Sequence, residues 1–250
     1  MGKVEISKQM DNNKTAFSKF ELIALLFSRM ILFAVFQTII SLFCNSWHES
    51  ERYWMLAATL GNIVSIYLLA VLFKREGKIY LHIFRFDKQN WKRDATLFCF
   101  LFLLLIPLAL APNYFLSKCF WDDPNIPYRI LFQPISNYWA YFLLIAFPVT
   151  IAFAELATYF GYIMPRLENV LEKNWLAVFL PVIFLSLQHC CLPLVFDTKF
   201  IIYRGLMYLP FALFIGIALR RRPRLLPYFV ILHGLMDMQA VVMLILETNK

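Results

Sequence analysis

Residues 138–164 read YWAYFLLIAFPVTIAFAELATYFGYIM, a run of 27 residues in which Glu155 is the only charged side chain. A helix that crosses the hydrocarbon core of a bilayer, roughly 30 Å thick, needs about 20 mostly apolar residues. A carboxylate within such a helix is costly and is retained where it has a function or a partner. The stretch therefore predicts a transmembrane helix with one residue of special interest.

The rest of the chain has the same composition. Apolar residues make up 61% of the 250 residues, charged residues make up 16%, and phenylalanine occurs 26 times. Soluble domains are roughly 45–50% apolar and about 25% charged. The scarcity of charge excludes a disordered chain, and five cysteines are too few for a secreted disulfide scaffold. Composition therefore predicts a polytopic membrane protein.

Seven stretches are long and apolar enough to cross the membrane. They are residues 21–44, 54–73, 95–111, 138–164, 176–196, 200–219 and 225–247. The sequence thus predicts an all-α transmembrane helix bundle, with residues 1–20 as a cytoplasmic N-terminal segment and 21–250 as one membrane domain. We expect a surface loop between the third and fourth spans, where prolines recur, and a helix lying on the membrane at 79–91.

Basic residues are unevenly distributed between the loops. With the N-terminus inside, 17 of the 24 Lys and Arg residues fall in cytoplasmic segments and five in outer segments. This bias predicts a cytoplasmic N-terminus. It also accounts for the net charge of +8 without a nucleic-acid partner. Membrane lipid is the expected surrounding, and a bacterial plasma membrane the expected location.

Six ionisable side chains lie well inside predicted spans, where each costs roughly 2.5 kcal/mol or more. They are Arg29, Glu155, His189, Arg204, His233 and Asp237. His233 and Asp237 are four residues apart and share a helix face. Such residues could activate a water molecule, or they could form a structural polar network between helices. Spacing alone leaves both interpretations open.

Depth along the helices gives a first test of whether these residues meet. At 1.5 Å per residue, Glu155 and His233 lie about 13 Å and about 12 Å from the cytoplasmic ends of their predicted helices. His189 lies about 20 Å deep, too far to meet them if its helix stands upright. A later start of that helix, nearer Pro181, or a tilt would reduce the gap.

At these residues the chain resembles the CAAX-protease and bacteriocin-processing membrane proteins, also described as abortive-infection or type II prenyl endopeptidase proteins. The segment ELATYFGYIMPRL, residues 155–167, is similar to the family's first motif, a Glu pair followed by Arg. Residues 185–189 are similar to the second motif, which ends in His, and His233 with Asp237 to the third. The three motifs occur in the family's order across roughly residues 138–246.

The resemblance implies a helical bundle with a peptidase site inside the membrane, open toward the cytoplasm. It implies that Glu155 activates water, that His189 assists it, and that His233 with Asp237 holds the substrate carbonyl or oxyanion. Arg204 and Tyr159 are candidate supporting residues. The chain departs from the family motif at Leu156, which replaces the second Glu, and at Phe160, which replaces the Arg. Arg29 or Arg204 could substitute for that Arg from another helix.

Three hypotheses follow. The first is a glutamic-type intramembrane endopeptidase without a cofactor, acting on a peptide or a lipidated protein. In a metal-dependent variant, Glu155, His189 and His233 would be zinc ligands, although the zinc-protease sequence HExxH is absent. The third is an inactive family member or a non-enzymatic protein, such as a scaffold, an immunity factor, a transporter or a proton pathway.

The peptidase hypothesis predicts a specific arrangement of three side chains. It requires Glu155, His189 and His233 to face one water-sized cavity that is accessible from the cytoplasm. It fails if Glu155 faces lipid or is neutralised by an arginine.

Overall fold

A computed structural model describes residues 19–250, and within them every regular element is a helix. We number the α-helices in chain order. They are α1 Lys19–Cys44, α2 Trp47–Glu51, α3 Trp54–Arg75, α4 Trp91–Phe120, α5 Ile126–Leu131, α6 Asn137–Leu156, α7 Met164–Val170, α8 Asn174–Gln188, α9 Thr198–Met207, α10 Leu209–Arg221 and α11 Leu226–Thr248. The predicted all-α fold is confirmed. The predicted cytoplasmic segment 1–20 lies, up to residue 18, outside the described residues.

Six helical stretches are long and apolar enough to cross a membrane, and a shorter apolar helix covers Trp175–Cys191. The six are Lys19–Cys44, Trp54–Arg75, Trp91–Phe120, Asn137–Val170, Thr198–Arg221 and Pro223–Thr248. About seven spans were predicted, which is roughly consistent with six long helices and one shorter apolar helix. The protein is therefore a helical bundle compatible with a multi-pass membrane protein.

The prediction for the region after the third span was wrong in part. Helix α4 continues through Pro107 and Pro112 to Phe120, whereas the sequence suggested a loop from Pro112 onward. A proline removes one backbone donor, and in a membrane helix the neighbouring groups can compensate for it. Only the stretch beyond Phe120 contains irregular structure, interrupted by the short helix α5.

The predicted membrane-surface helix at 79–91 is also absent. The structure has only a 3₁₀ turn, Tyr80–Phe84, in this region. Tyr80 is buried, donates a hydrogen bond to the carbonyl of Phe153 and packs against Phe73. The segment is thus held against the bundle by its aromatic side chains. The C-terminal end of the segment is held in place through Asp87.

Asp87 fastens this linker to the start of α11. The Asn90 side chain, the Gln89 amide and the Arg224 guanidinium all donate hydrogen bonds to its carboxylate. Together they hold the pKa of Asp87 at about 2, below its ordinary value. The linker between α3 and α4 is therefore held against the turn that precedes α11.

Two predicted spans differ in detail. The span at 176–196 ends earlier, since α8 stops at Gln188 and a 3₁₀ turn, His189–Cys191, follows. The span at 200–219 is divided at Tyr208 into α9 and α10. In both spans a helix end, rather than a helix interior, therefore lies beside a predicted site residue, which is His189 in the first and Arg204 in the second.

The buried apolar side chains form two clusters. One lies toward the predicted cytoplasmic ends and includes Leu26, Tyr162 and Phe229. The other lies toward the predicted outer ends and includes Trp54 and Phe147. Fully buried polar side chains lie between the clusters, among them Arg29, Glu155 and Gln188. The apolar halves of the bundle thus enclose a polar layer at mid-span.

Gly216 allows α8 and α10 to pack closely. A Cβ atom at this position would lie 2.8 Å from Cγ2 of Val182 and 3.1 Å from Cε1 of Phe160. Small residues commonly allow such close approach between membrane helices.

We expect Gly216→Ala to destabilise the protein by about 1–3 kcal/mol, because overpacking forces neighbouring side chains to move. Thermal denaturation in detergent would measure this effect. The double variant Gly216→Ala/Val182→Ala should recover part of the loss, since it removes the closest clashing methyl group. An unchanged melting temperature in the single variant would contradict the close packing.

Candidate active site

Five of the predicted residues, Arg204 among them, line one cavity of about 150 Å³. Glu155 lies at the end of α6, His189 directly follows α8, and His233 and Asp237 lie on α11. A water molecule occupies about 30 Å³ of the liquid, so the cavity can hold a few waters or a small part of a substrate. Most of its remaining lining is apolar. The structure thus brings the three motifs together.

The depth predicted for Glu155 was wrong, whereas the depth predicted for His189 was close to that in the structure. The helix that carries Glu155 continues to Val170, beyond the predicted end at residue 164. Fifteen residues at 1.5 Å each put Glu155 about 22 Å from that end, and the same rise puts His189 about 22 Å from Asn174. The two residues therefore lie at matching depth without a large tilt.

Glu155 and His233 form the centre of the cluster. Oε1 of Glu155 lies 3.0 Å from Nε2 of His233, and Oδ2 of Asp237 lies 3.5 Å from the same nitrogen. Since both neighbours of Nε2 are carboxylate oxygens, we assign the ring hydrogen to this nitrogen. His233 can therefore donate a hydrogen bond into the site.

The other carboxylate oxygen of Glu155 is held by an amide. Nε2 of Gln188 donates a hydrogen bond to Oε2 of Glu155 at 2.7 Å, and Nη2 of Arg29 lies 3.6 Å from that oxygen. Arg29 in turn donates from Nε to Gln188 at 2.6 Å and from Nη2 to Asn62 at 2.9 Å. Its guanidinium also lies over the ring of Phe33. Helices α1, α3 and α8 thus together position the carboxylate on α6.

Several buried polar atoms of the cluster have no hydrogen-bond partner among residues 19–250. They are Oε1 of Glu155, both ring nitrogens of His233, Oδ2 of Asp237 and Nη1 of Arg29. Nε2 of His233 lies within ion-pair distance of Glu155 and of Asp237, but neither contact has the geometry of a hydrogen bond. Buried polar groups in native proteins are nearly always hydrogen-bonded. The arrangement suits a polar ligand, such as water or a peptide carbonyl.

His189 is oriented by its own helix and by an aromatic ring. Nδ1 lies 2.9 Å from the carbonyl oxygen of Leu185, and the ring stacks on Tyr208 with centroids 3.7 Å apart. A carbonyl oxygen can only accept, so Nδ1 carries the hydrogen and Nε2 of the neutral ring is an acceptor. His189 can therefore accept a hydrogen bond from a water molecule in the cavity.

Arg204 lines the cavity, but its donors are engaged by two backbone carbonyls and by a tyrosine hydroxyl. Nε donates to the carbonyl of His189 at 3.2 Å, and Nη2 donates to that of Leu192 at 2.5 Å. Nη1 donates to the hydroxyl of Tyr208 at 3.0 Å. Arg204 therefore fixes the turn that carries His189. Of the two arginines predicted to replace the family Arg, Arg29 is the one beside Glu155.

Tyr159 is not brought to the cavity. Its hydroxyl donates to the carbonyl of Leu26 at 3.4 Å, within the cytoplasmic-side cluster. A π-helical segment, Ala157–Ile163, begins directly after α6. The wider turn changes the angular spacing of side chains from that of a regular α-helix. The four-residue spacing between Glu155 and Tyr159 therefore does not place both side chains in the site.

Sequence reasoning missed Gln188 and Asn62 because it considered only ionisable side chains. Both are polar residues inside apolar stretches, which is a signal that the sequence does contain. Gln188 also directly precedes His189. A search that included buried amides would have found both.

The contact between Arg29 and Glu155 bears directly on the peptidase hypothesis. Glu155 does not face lipid, since its side chain is 1% exposed, but a buried arginine compensates its charge. Neutralisation of Glu155 by an arginine is one of the two arrangements under which the peptidase hypothesis was expected to fail, and the structure shows it in part. The contact is made to Oε2 alone, and Oε1 remains directed to His233.

The lining of the cavity does not match the cytoplasmic opening that the family resemblance implies. Its lining includes Trp54, Leu192 and Ala240, which lie in the predicted outer half of the bundle. Toward the predicted cytoplasmic ends, the apolar cluster around Tyr162 and Phe229 fills the interior.

An apolar groove on the side of the bundle lies next to the cavity. Ala109, Phe211 and Met236 line the cavity and also line an apolar groove between α4 and α11. The groove is bordered by the exposed side chains of Leu110 and Leu235. The site thus adjoins a surface that would face lipid acyl chains.

The described residues contain no group of three or more His, Cys, Asp or Glu side chains arranged to hold a metal ion. Of the alternative zinc ligands, His189 has Nδ1 engaged with Leu185, and Glu155 has one oxygen engaged with Gln188. Metal analysis is the direct test of the zinc variant.

The chain matches no protein-family model, no curated protein and no solved structure. The geometry of the site is therefore the basis for assigning a function.

Proposed function

We propose that the protein is a glutamic-type intramembrane endopeptidase. The observation that supports this most strongly is the convergence of Glu155, His189 and His233 from three helices on one cavity. The unpartnered atoms of Glu155 and His233 point to a polar ligand there. The likeness of these residues to the CAAX-protease motifs is in accord with this proposal.

In the proposed reaction, a water molecule lies between Oε1 of Glu155 and Nε2 of His189. Glu155 takes one proton from the water as its oxygen attacks the scissile carbonyl carbon. His233, supported by Asp237, donates a hydrogen bond to the carbonyl oxygen as negative charge develops on it. The C–N bond then breaks, and Glu155 returns the proton to the leaving amine. No co-reactant other than water is needed.

The lateral groove suggests the class of substrate. An apolar or lipidated peptide could reach the cavity from the bilayer between α4 and α11, past Ala109 and Met236. Such a substrate would already be concentrated in the membrane. We include a peptide or lipidated protein substrate, and a bacterial plasma membrane location, within this proposal.

The test is a cleavage assay with the purified full-length protein in detergent or in vesicles. Apolar and lipidated peptides of defined sequence would be incubated with it, and the products identified by mass spectrometry. Hydrolysis of a defined peptide bond that depends on Glu155 would support the proposal. Absence of any Glu155-dependent product would count against it.

Cleavage is expected to continue in the presence of a metal chelator, because the proposed mechanism takes its base from Glu155. The assay would compare initial rates before and after treatment with o-phenanthroline, with a known zinc peptidase as the control. Loss of activity that zinc restores would instead favour the zinc variant.

A second candidate is a non-catalytic membrane protein in which the polar layer joins the helices. The ion pair of Arg29 and Glu155, at 3.6 Å and fully buried, is the observation that favours it. This candidate predicts that Glu155 matters for stability alone.

A further inference from the structure

A second groove lies at the opposite side of α10 from the cavity, between α8 and α10. It is lined by apolar side chains and ends at two arginines of the last turn of α10. Its lining residues are Trp175, Val178, Phe179, Leu213, Ile217, Arg220 and Arg221. The groove thus combines an apolar floor with a cationic end.

The apolar part of the groove is exposed on the outer surface of the bundle. Phe179 is 41% exposed, Ile217 is 42% exposed and Trp175 is 56% exposed. At this position in a membrane protein, these side chains would meet lipid acyl chains. Tryptophan is enriched at the level of lipid head groups, and Trp175 lies in the first turn of α8. Trp175 and the two arginines therefore mark the head-group end of the groove.

One of the two arginines is paired with a carboxylate and the other is not. Arg220 donates from Nε to Glu168 at 2.8 Å, across a half-exposed contact. Arg221 is exposed and has no ionic partner among residues 19–250. The loop before α8 contributes Glu172 and Lys173, whose charges balance. The head-group end of the groove therefore carries net positive charge.

We propose that this groove binds an anionic phospholipid of the cytoplasmic leaflet. One acyl chain would lie along Phe179, Leu213 and Ile217, and the phosphate would contact Arg220 and Arg221. Basic pockets between transmembrane helices on the cytoplasmic side bind anionic head groups in this way. Arginine also matches phosphate geometry better than lysine does. This site is separate from the proposed peptidase site and does not depend on it.

The proposal predicts selective stabilisation by anionic lipid. Full-length protein in detergent would be titrated with phosphatidylglycerol or phosphatidylcholine, and the melting temperature recorded. We expect phosphatidylglycerol to raise it more. The variant Arg220→Gln/Arg221→Gln should weaken the apparent affinity by about 30-fold, since each arginine near the membrane surface contributes about 1 kcal/mol.

The matched control is Lys74→Gln/Arg75→Gln. It removes two exposed charges from the same predicted face of the membrane, at the end of α3 and outside the groove. We expect this variant to keep the affinity of the unmodified protein. An equal loss in both double variants would show a non-specific basic surface and overturn the proposal.

Two further titrations complete the test. Equal stabilisation by phosphatidylcholine and phosphatidylglycerol would overturn the preference for an anionic head group. Equal stabilisation by glycerophosphoglycerol, which has the head group without acyl chains, would identify a phosphate site and overturn the lipid proposal.

Discussion

Glu155→Gln is expected to reduce peptide cleavage by about 10²- to 10⁴-fold, the usual effect of removing a general base. Glutamine is close in shape to glutamate and can still accept the hydrogen bond from Gln188. It cannot take the proton from water. Initial rates from the cleavage assay would measure the loss, and circular dichroism with gel filtration would establish that the variant remains folded.

The matched control for this variant is Glu172→Gln. Glu172 is exposed in the loop before α8 and does not line the cavity. Its replacement should leave the rate unchanged. Full activity in Glu155→Gln would eliminate the assignment of Glu155 as the base.

Replacement of Glu155 leaves Arg29 without its buried counter-charge, so the variant could lose stability as well. His233→Gln and His189→Ala avoid this difficulty because neither removes the carboxylate. Each is expected to lose cleavage while retaining the fold. Activity that survives in both histidine variants would exclude the proposed mechanism whatever happens to Glu155→Gln.

Arg29→Met is expected to destabilise the protein by about 3–5 kcal/mol, because it leaves a buried carboxylate without compensation. It also removes the donors to Gln188 and Asn62. Thermal or chemical denaturation in detergent would measure the change in free energy of unfolding. The exposed pair of Arg129 and Asp123 provides the control, since Arg129→Met should cost less than about 1 kcal/mol.

A double-mutant cycle separates the contact from the individual residues. Arg29→Met/Glu155→Leu should be less destabilised than the sum of the single variants, with a coupling of about 0.5–3 kcal/mol. Strict additivity would mean that the two charges do not interact, despite their separation of 3.6 Å. If Glu155 variants affect only stability and never cleavage, the non-catalytic candidate is correct.

Much of the fold could be predicted from the sequence because apolar length alone determines which segments can cross a bilayer. The predicted stretch at 138–164 corresponds to the helix Asn137–Val170. Helix ends were harder to predict. Pro112 suggested a loop, yet α4 continues through it. In the other direction, the apolar stretch at 176–196 gave no sign that α8 ends at Gln188.

The residues of the candidate site were predicted from the free-energy cost of placing an ionisable side chain in hydrocarbon. Their contact partners were not predicted. Glu155, His189 and His233 stand out as ionisable groups in apolar helices. The partner of Glu155 lies 126 positions away on α1, and spacing carries no information about such a contact. The same limit applies to Asn62. The π-helical segment after Leu156 was also invisible, and it is the reason that Tyr159 lies outside the site.

The polar layer at mid-span has a consequence for how this chain can vary. All three peptidase-like motifs lie in one half of the protein. That half does not contain the counter-charge of Glu155, because Arg29 belongs to α1. Positions 29, 62, 155 and 188 form one hydrogen-bonded unit spread over four helices. Among related chains, these four positions are expected to change together, and a fragment that starts after α3 would inherit a carboxylate without its counter-ion.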